Sequence, residues 1–197
     1  LRDGKMAIAL GSKDAQLYAF CASACQQLER IEEAIRFADE ATSLAPTVSL
    51  VHNLRSAALR DAYQYSRAIE SLDQSLRLDP KQPRAFRIRG QVLDGMNQPE
   101  KAREQYEAAK KLDPTTLTLA AIHQAIARSW SKRGECARAR HEADMAVDLV
   151  TTEPDARVTR ALIAARCGDV LFAKKEFERA RELGAKDSYF FLARGEA

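Results

Sequence analysis

The residues with the means to do chemistry are few and scattered. The three histidines stand at His52, His123 and His141, and no H-E-x-x-H pair places two of them on one helix face. His52 and His123 fall at equivalent places in the pattern described below, where a bulky packing residue is expected, so both read as structural. Four cysteines occur, at positions 21, 25, 136 and 167. Cys21 and Cys25 are four apart and share a helical face, but no histidine and no second ligand pair stands at zinc spacing. The expectation for all four is a small buried core residue. Neither a G-x-x-x-x-G-K-[ST] phosphate loop nor a G-x-S-x-G elbow is present. Glu32, Glu33, Glu176 and Glu178 read as solvated helix surface rather than an acid/base couple. A chain with no active site, cofactor or metal is the expectation.

Composition narrows what must position the remaining polar residues. Of 197 residues, 46% are hydrophobic but only 7% are aromatic, and eight glycines and six prolines are few for an all-β chain. That mixture favours close-packed helices with small residues at their contacts. Lysine and arginine total 31 against 28 acidic residues, a net charge of +3 with both signs interspersed. Nucleic-acid binders concentrate positive charge more strongly, so a nucleic-acid partner is not expected. No stretch approaches the ~20 apolar residues of a membrane span. The longest uncharged run, Pro114 to Ala127, is short and carries threonines, a histidine and a glutamine. The opening "LRDGKMAIALGSKD" lacks the apolar stretch of a signal peptide, and a cytoplasmic location is the expectation.

A repeat supplies the framework. Leu78-Asp79-Pro80 returns at Leu112-Asp113-Pro114, and the preceding step falls on Leu44-Ala45-Pro46. Closing a unit shortly after each proline divides the chain into 15–48, 49–82 and 83–116. Three extra residues follow, and then come 120–153 and 154–187. Column 20 then reads Ala34, Ala68, Ala102, Ala139 and Ala173, and column 30 reads Leu44, Leu78, Leu112, Leu149 and Leu183. Columns 8 and 27 hold only alanine, serine or glycine: Ala22, Ser56, Gly90, Ala127 and Ala161, then Ala41, Ser75, Ala109, Ala146 and Ala180. Small residues there let helix axes approach closely. Two helices per unit are predicted, over about positions 2–14 and 17–30. The proline ends the second helix, and the leucine before it is expected in the core. Two of the turns inside a unit contain glycine, Gly134 and Gly168. The extra residues between the third and fourth units either lengthen the next helix, with Thr115 or Thr116 as its cap, or enlarge the loop.

This register resembles the tetratricopeptide repeat, a 34-residue helix–turn–helix unit with small residues at 8, 20 and 27 and proline at 32. The resemblance covers nearly the whole chain and implies an all-α, right-handed superhelix, an α-solenoid. Residues 1–14 fit the second half of a preceding unit, and 188–197 fit the start of a following one, so the chain reads as a piece of a longer protein, the alternative being that these two end helices act as caps. Column 7, usually leucine-like in the family, is instead Arg55, Arg89 and Arg160. Thr151 and Ala185 replace the terminal proline, and those late units are expected to pack less regularly.

What the resemblance implies about function is a non-catalytic scaffold that holds a partner protein or peptide in a concave groove lined by first-helix columns 2, 5, 9, 12 and 13. Carried over to this chain, those columns give Asn53, Arg60, Asp61, Arg84, Arg87, Gln91, Asp94, Gln124, Arg128, Ser131, Lys132, Leu162 and Arg166. Six of the thirteen are basic and two acidic, so a partner segment of acidic character is expected. Asn53, Arg84, Arg87, Gln91, Gln124, Arg128 and Lys132 are the candidate partner-binding residues, with the amides holding peptide backbone. The residue set that clamps the acidic tail of heat-shock chaperones is absent in every register. Two alternatives stay open. One is a structural or self-associating spacer, to which Tyr189, Phe190 and Phe191 would contribute if exposed. The other is a helical-repeat RNA binder, which the 34-residue period and low charge disfavour.

Overall fold

A computed structural model describes residues 1–185. Over that span the chain forms eleven α-helices and no strand, in two compact units that divide between Leu112 and Asp113. In the first unit α1 (Arg2–Ala9) is followed by three hairpins. These are α2 (Ala15–Gln27) with α3 (Ile31–Leu44), α4 (Ser49–Asp61) with α5 (Tyr65–Leu78), and α6 (Pro83–Gly95) with α7 (Pro99–Leu112). The second unit pairs α8 (Thr116–Lys132) with α9 (Cys136–Leu149) and α10 (Pro154–Arg166) with α11 (Val170–Glu182). Among the described residues no helix is long and apolar enough to cross a membrane. The expectations about Tyr189, Phe190 and Phe191 lie outside the described residues.

The small columns are the interior. Ala34, Ala68, Ala102, Ala139 and Ala173 are buried, as are all five residues of column 8 and all five of column 27. Gly90 shows how tight the fit is. A Cβ built there would lie 2.5 Å from the ring of Tyr106 in the same hairpin. That ring cannot swing aside freely, because Tyr106 is buried and its hydroxyl donates to Asp94 Oδ2 at 2.8 Å.

Helix ends follow the leucine–proline signal, with one correction. Helices α3, α5, α7 and α9 end on Leu44, Leu78, Leu112 and Leu149. Yet Leu44, Leu78 and Leu112 keep 38%, 37% and 39% of their surface exposed, so they are not core residues. Each is the last residue of its helix, at the rim where the paired helix no longer covers it. Leucine here shields the hairpin edge while the chain turns away toward proline.

All five turns inside the hairpins share one geometry. The residues at the corner, Glu29, Tyr63, Asn97, Gly134 and Gly168, have φ of 57°, 58°, 58°, 78° and 84°. In each, the next N–H reaches back five residues, as in Arg30 N to Cys25 O and Gln64 N to Leu59 O, both at 2.9 Å. This is the Schellman closure of a helix, which favours glycine at the left-handed corner. Glu29 and Tyr63 adopt it without glycine, at a cost of about 1 kcal/mol each.

The arginines of column 7 have a shared role. Arg55 Nε donates to Asp39 Oδ1 at 2.5 Å, Arg89 Nη2 lies 3.2 Å from Asp73 Oδ1, and Arg160 Nη1 lies 3.2 Å from Asp144 Oδ1. Each of these aspartates occupies column 25 of the preceding unit. The pairs therefore tie the first helix of one hairpin to the second helix of the hairpin before it. Arg160 also donates twice to Glu176, a carboxylate buried on α11 that Arg157 approaches at 3.3 Å. In this repeat the buried carboxylate is thus met by two arginines of α10. At the step between the third and fourth units the corresponding residues are Glu107 and Ile126, so the charge pair is absent from the sequence there.

The three extra residues at that step enter a helix. Helix α8 runs for 17 residues against 13 for α4, α6 and α10. Thr115 is its N-cap residue, as expected, but makes no side-chain cap bond. Asp113 does this work instead, accepting from Thr115 N at 3.2 Å and from Thr118 Oγ1 at 2.5 Å. Both contacts hold its carboxyl below the usual carboxylate range. Two further expectations divide. Cys21 and Cys25 are buried thiols, but Cys136 and Cys167 are joined as a disulfide rather than buried singly. The turns of two successive hairpins bring their Cα atoms to 5.7 Å, a proximity that sequence separation conceals. His52 is packed in the first unit and its Nε2 donates to the Pro46 carbonyl at 2.8 Å, while His123 Nδ1 meets Glu142 at 2.7 Å.

Two outcomes follow for stability. Gly90→Ala gains helix propensity but collides with a fixed ring, and a net loss of about 1–2 kcal/mol is expected from urea unfolding. Tyr63→Gly relieves the left-handed corner and is expected to raise stability by about 0.5–1 kcal/mol in the same assay.

Candidate functional site

The polar columns of the first helices form a separate surface on each unit. In the first unit, Asn53 sits at the start of α4 and is fully buried. Its amide nitrogen donates to Gln82 Oε1 in the loop before α6, leaving Asn53 Oδ1 and Gln82 Nε2 without partners in the structure. One buried acceptor and one donor therefore stand side by side with bonding capacity to spare. Such groups cost about 1–3 kcal/mol each when left unsatisfied, which makes the pair a natural place for a buried water.

A polar ladder runs beside them. Gln26 on α2 donates to Asp61 Oδ2 at 2.9 Å, and Asp61 Oδ1 accepts from Arg60 Nε and Nη2 at 2.9 and 2.6 Å. Arg60 continues to Gln91 Oε1 on α6. Three first helices are thus joined by four side chains from columns 9, 12 and 13. Arg84, at the start of α6, has a different setting. Desolvation and the nearby positive charge of Arg60 push its guanidinium below the usual arginine range, and no carboxylate contributes to the shift. Its side chain is nonetheless exposed. Arg84 is a cation that a negative group would stabilise. Arg87 is half-buried one turn further along, and Asp94 turns inward to accept from Tyr106.

In the second unit, Gln124 and Arg128 on α8 meet through a residue of α10. Arg128 Nη1 donates to Thr159 Oγ1 at 3.2 Å, and Thr159 Oγ1 donates to Gln124 Oε1 at 3.2 Å. Thr159 is buried, Ser131 is buried and Lys132 is exposed at the end of α8. Leu162 packs against the Val158–Phe177 cluster rather than facing outward as a contact. No group of three histidine, cysteine or acidic side chains able to hold a metal occurs among the described residues.

The structure therefore joins Asn53 to Gln82, Arg60 to Gln91, and Gln124 to Arg128, and places Arg84 in the field of Arg60. Gln26, Gln82 and Thr159 complete these contacts and were not among the sequence candidates. Thr159 had a signal, being the only polar residue in a column otherwise filled by Phe20, Leu54, Ile88 and Ala125. Gln82 is the last residue of its unit, and nothing in the column pattern marks it.

A family model for the tetratricopeptide repeat matches residues 15–48 and 86–116. Among solved structures, the chain is similar to a thermophilic tetratricopeptide repeat protein of Thermus thermophilus, at 15% identity over 92% of this chain and 97% of that one, with a TM-score of 0.74. A tetratricopeptide repeat protein from Parabacteroides merdae aligns at 12% identity over 94% of this chain and 72% of its own, with a TM-score of 0.68. YrrB, described as a tetratricopeptide repeat protein with an unusual peptide-binding site, aligns at 17% identity over 97% of both chains, with a TM-score of 0.51. No curated protein sequence matches significantly.

The Thr159 bridge can be tested directly. Thr159→Val keeps the shape but removes the hydroxyl shared by Gln124 and Arg128. A loss of about 1 kcal/mol in unfolding free energy is expected, with the helix content unchanged by circular dichroism.

Proposed function

We propose that this chain, which matches the tetratricopeptide repeat model over residues 15–48 and 86–116, is a non-catalytic scaffold that binds an extended protein segment of acidic character along its first-helix surfaces. The repeats are those at 15–48, 49–82, 83–116, 120–153 and 154–187, with partial units outside them. The family's fold is an interaction scaffold in general, and a solved structure of the same fold, YrrB, is described by its peptide-binding site.

The observation that carries the reading is Arg84, an exposed cation at the start of α6 whose shift has no carboxylate contribution. Asn53 and Gln82 join α4 to the loop before α6 beneath this surface, through side-chain atoms that are themselves buried. Arg84 suits an acidic side chain or a chain-terminal carboxylate, which its planar fork grips through paired hydrogen bonds. Arg60 is already neutralised by Asp61 and orders the ridge rather than serving as a ligand group. Arg87, Gln91, Gln124, Arg128 and Lys132 extend the polar surface on their respective units.

An array of immobilised peptides of acidic, neutral and basic composition, probed at low and moderate salt, tests this. Acidic peptides are expected to be preferred, with binding falling as salt rises. Arg84→Glu is expected to weaken the best of them about 5- to 10-fold, corresponding to about 1 kcal/mol for one exposed charge contact. Asn53→Ala removes the buried bond to Gln82 and is expected to lower unfolding free energy by about 1 kcal/mol. Equal binding of acidic and basic peptides, unchanged by Arg84→Glu, would overturn the reading.

A further inference from the structure

The peptide-binding surfaces make no use of the second unit's cysteine pair. Cys136 is the first residue of α9 and Cys167 caps the end of α10. Their Cα separation of 5.7 Å falls in the middle of the range that a disulfide spans without backbone movement. The residues join the turn of one hairpin to the turn of the next. In the first unit the same two columns hold Ile31 with Ala62 and Tyr65 with Met96, side chains that have no covalent option. A second link at these turns is the ion pair between Arg140 and Asp169 at 3.3 Å. Both partners are well exposed, so that pair alone holds the turns weakly.

The other two cysteines are kept apart from this chemistry. Cys21 and Cys25 are fully buried between α1, α3 and their own helix, and burial pushes both thiols upward. The carboxylate of Glu33 raises Cys25 further. A buried thiol with little thiolate is a poor attacking group in disulfide exchange. Cys136 and Cys167 are half-buried at a solvent-facing corner and open to an oxidant. One accessible pair is joined, and one inaccessible pair is protected from scrambling it. Structural disulfides of this kind persist where glutathione and thioredoxin do not keep thiols reduced.

We propose that Cys136–Cys167 is a structural disulfide of the working protein, and that the protein therefore acts in an oxidising compartment rather than in the cytoplasm expected from the sequence. Forming the bond breaks two S–H bonds and makes one S–S bond. Two protons leave to solvent, and two electrons pass to a thiol–disulfide oxidant whose own S–S bond becomes two thiols. The bond closes a long loop and braces successive hairpin turns, and this role is independent of any bound peptide.

The test is thiol mapping of the protein isolated from its source organism with alkylation at lysis. The expected result is a disulfide-linked peptide containing Cys136 and Cys167, with Cys21 and Cys25 alkylated only after denaturation. Recovery of Cys136 and Cys167 as alkylated thiols would overturn the assignment of compartment. Thermal unfolding of the purified protein tests the brace, followed by fluorescence of Trp130, the single tryptophan, which packs against the same buried cluster as Cys167. Reductant is expected to lower the transition by about 5–12 °C in the wild type and to leave Cys136→Ser/Cys167→Ser unchanged. Equal melting with and without reductant would overturn the bracing role. If the double variant does not fold, the wild-type comparison and the mapping still decide both points.

Discussion

Every other feature of this protein depends on helices that approach closely because their contact positions carry almost no side chain. Alanine, serine and glycine fill columns 8, 20 and 27, and all of these positions are buried. Such residues contribute little apolar area each, so cohesion comes from dense packing of backbone against backbone and from the larger side chains that fill the spaces between. Gly90 under the Tyr106 ring is the extreme case, where even one methyl group has no room. Close packing of this kind has little tolerance for irregularity inside a hairpin. Variation is therefore displaced to turns, helix ends and outward faces.

Charge fills the roles that apolar residues usually take between hairpins. The column 7 arginines would be expected to disturb a layer that is usually leucine-like in tetratricopeptide repeats. Each instead reaches the aspartate of the preceding hairpin, and Arg160 also neutralises the buried Glu176. Most of these pairs are partly exposed and individually worth less than about 1 kcal/mol. Their larger effect is on register, since a guanidinium facing the wrong neighbour would be left uncompensated. Where the sequence has Ile126 and Glu107 in place of the pair, it also carries three extra residues, and the boundary between the two compact units falls between Leu112 and Asp113.

The two units present their polar first-helix faces differently. In the first, Arg60 is spent on Asp61 and Gln91, and the amides of Asn53 and Gln82 are only half-used. In the second, the Thr159 hydroxyl bridges Arg128 to Gln124. A count of basic residues therefore overstates the free positive charge of these surfaces. Arg84, with no carboxylate beside it, is the residue that retains it most clearly in the first unit. The second unit also has a brace that the first lacks, in the bond between Cys136 and Cys167.

The sequence by itself determined whatever repeats: the helical class, the hairpin length, the small buried columns and the leucine–proline stops. These are legible because a fixed period imposes the same steric demand at every step, so one column reports on all its members. Tertiary structure decided what differs between members of a column. Leu44, Leu78 and Leu112 proved exposed while Leu149 packs against the Val147 and Ala156 cluster, because coverage at a rim depends on the neighbouring hairpin and not on residue type. The left-handed corner was shared by Glu29 and Tyr63 as well as glycine, because the Schellman bonds outweigh the steric cost at those turns. Asn53 found Gln82, Gln124 found Thr159, and Cys136 found Cys167, all across 29 to 35 residues of chain. A pairing between hairpins depends on rotation and stagger of whole helices, which are set by packing and leave no local mark on the residues that meet.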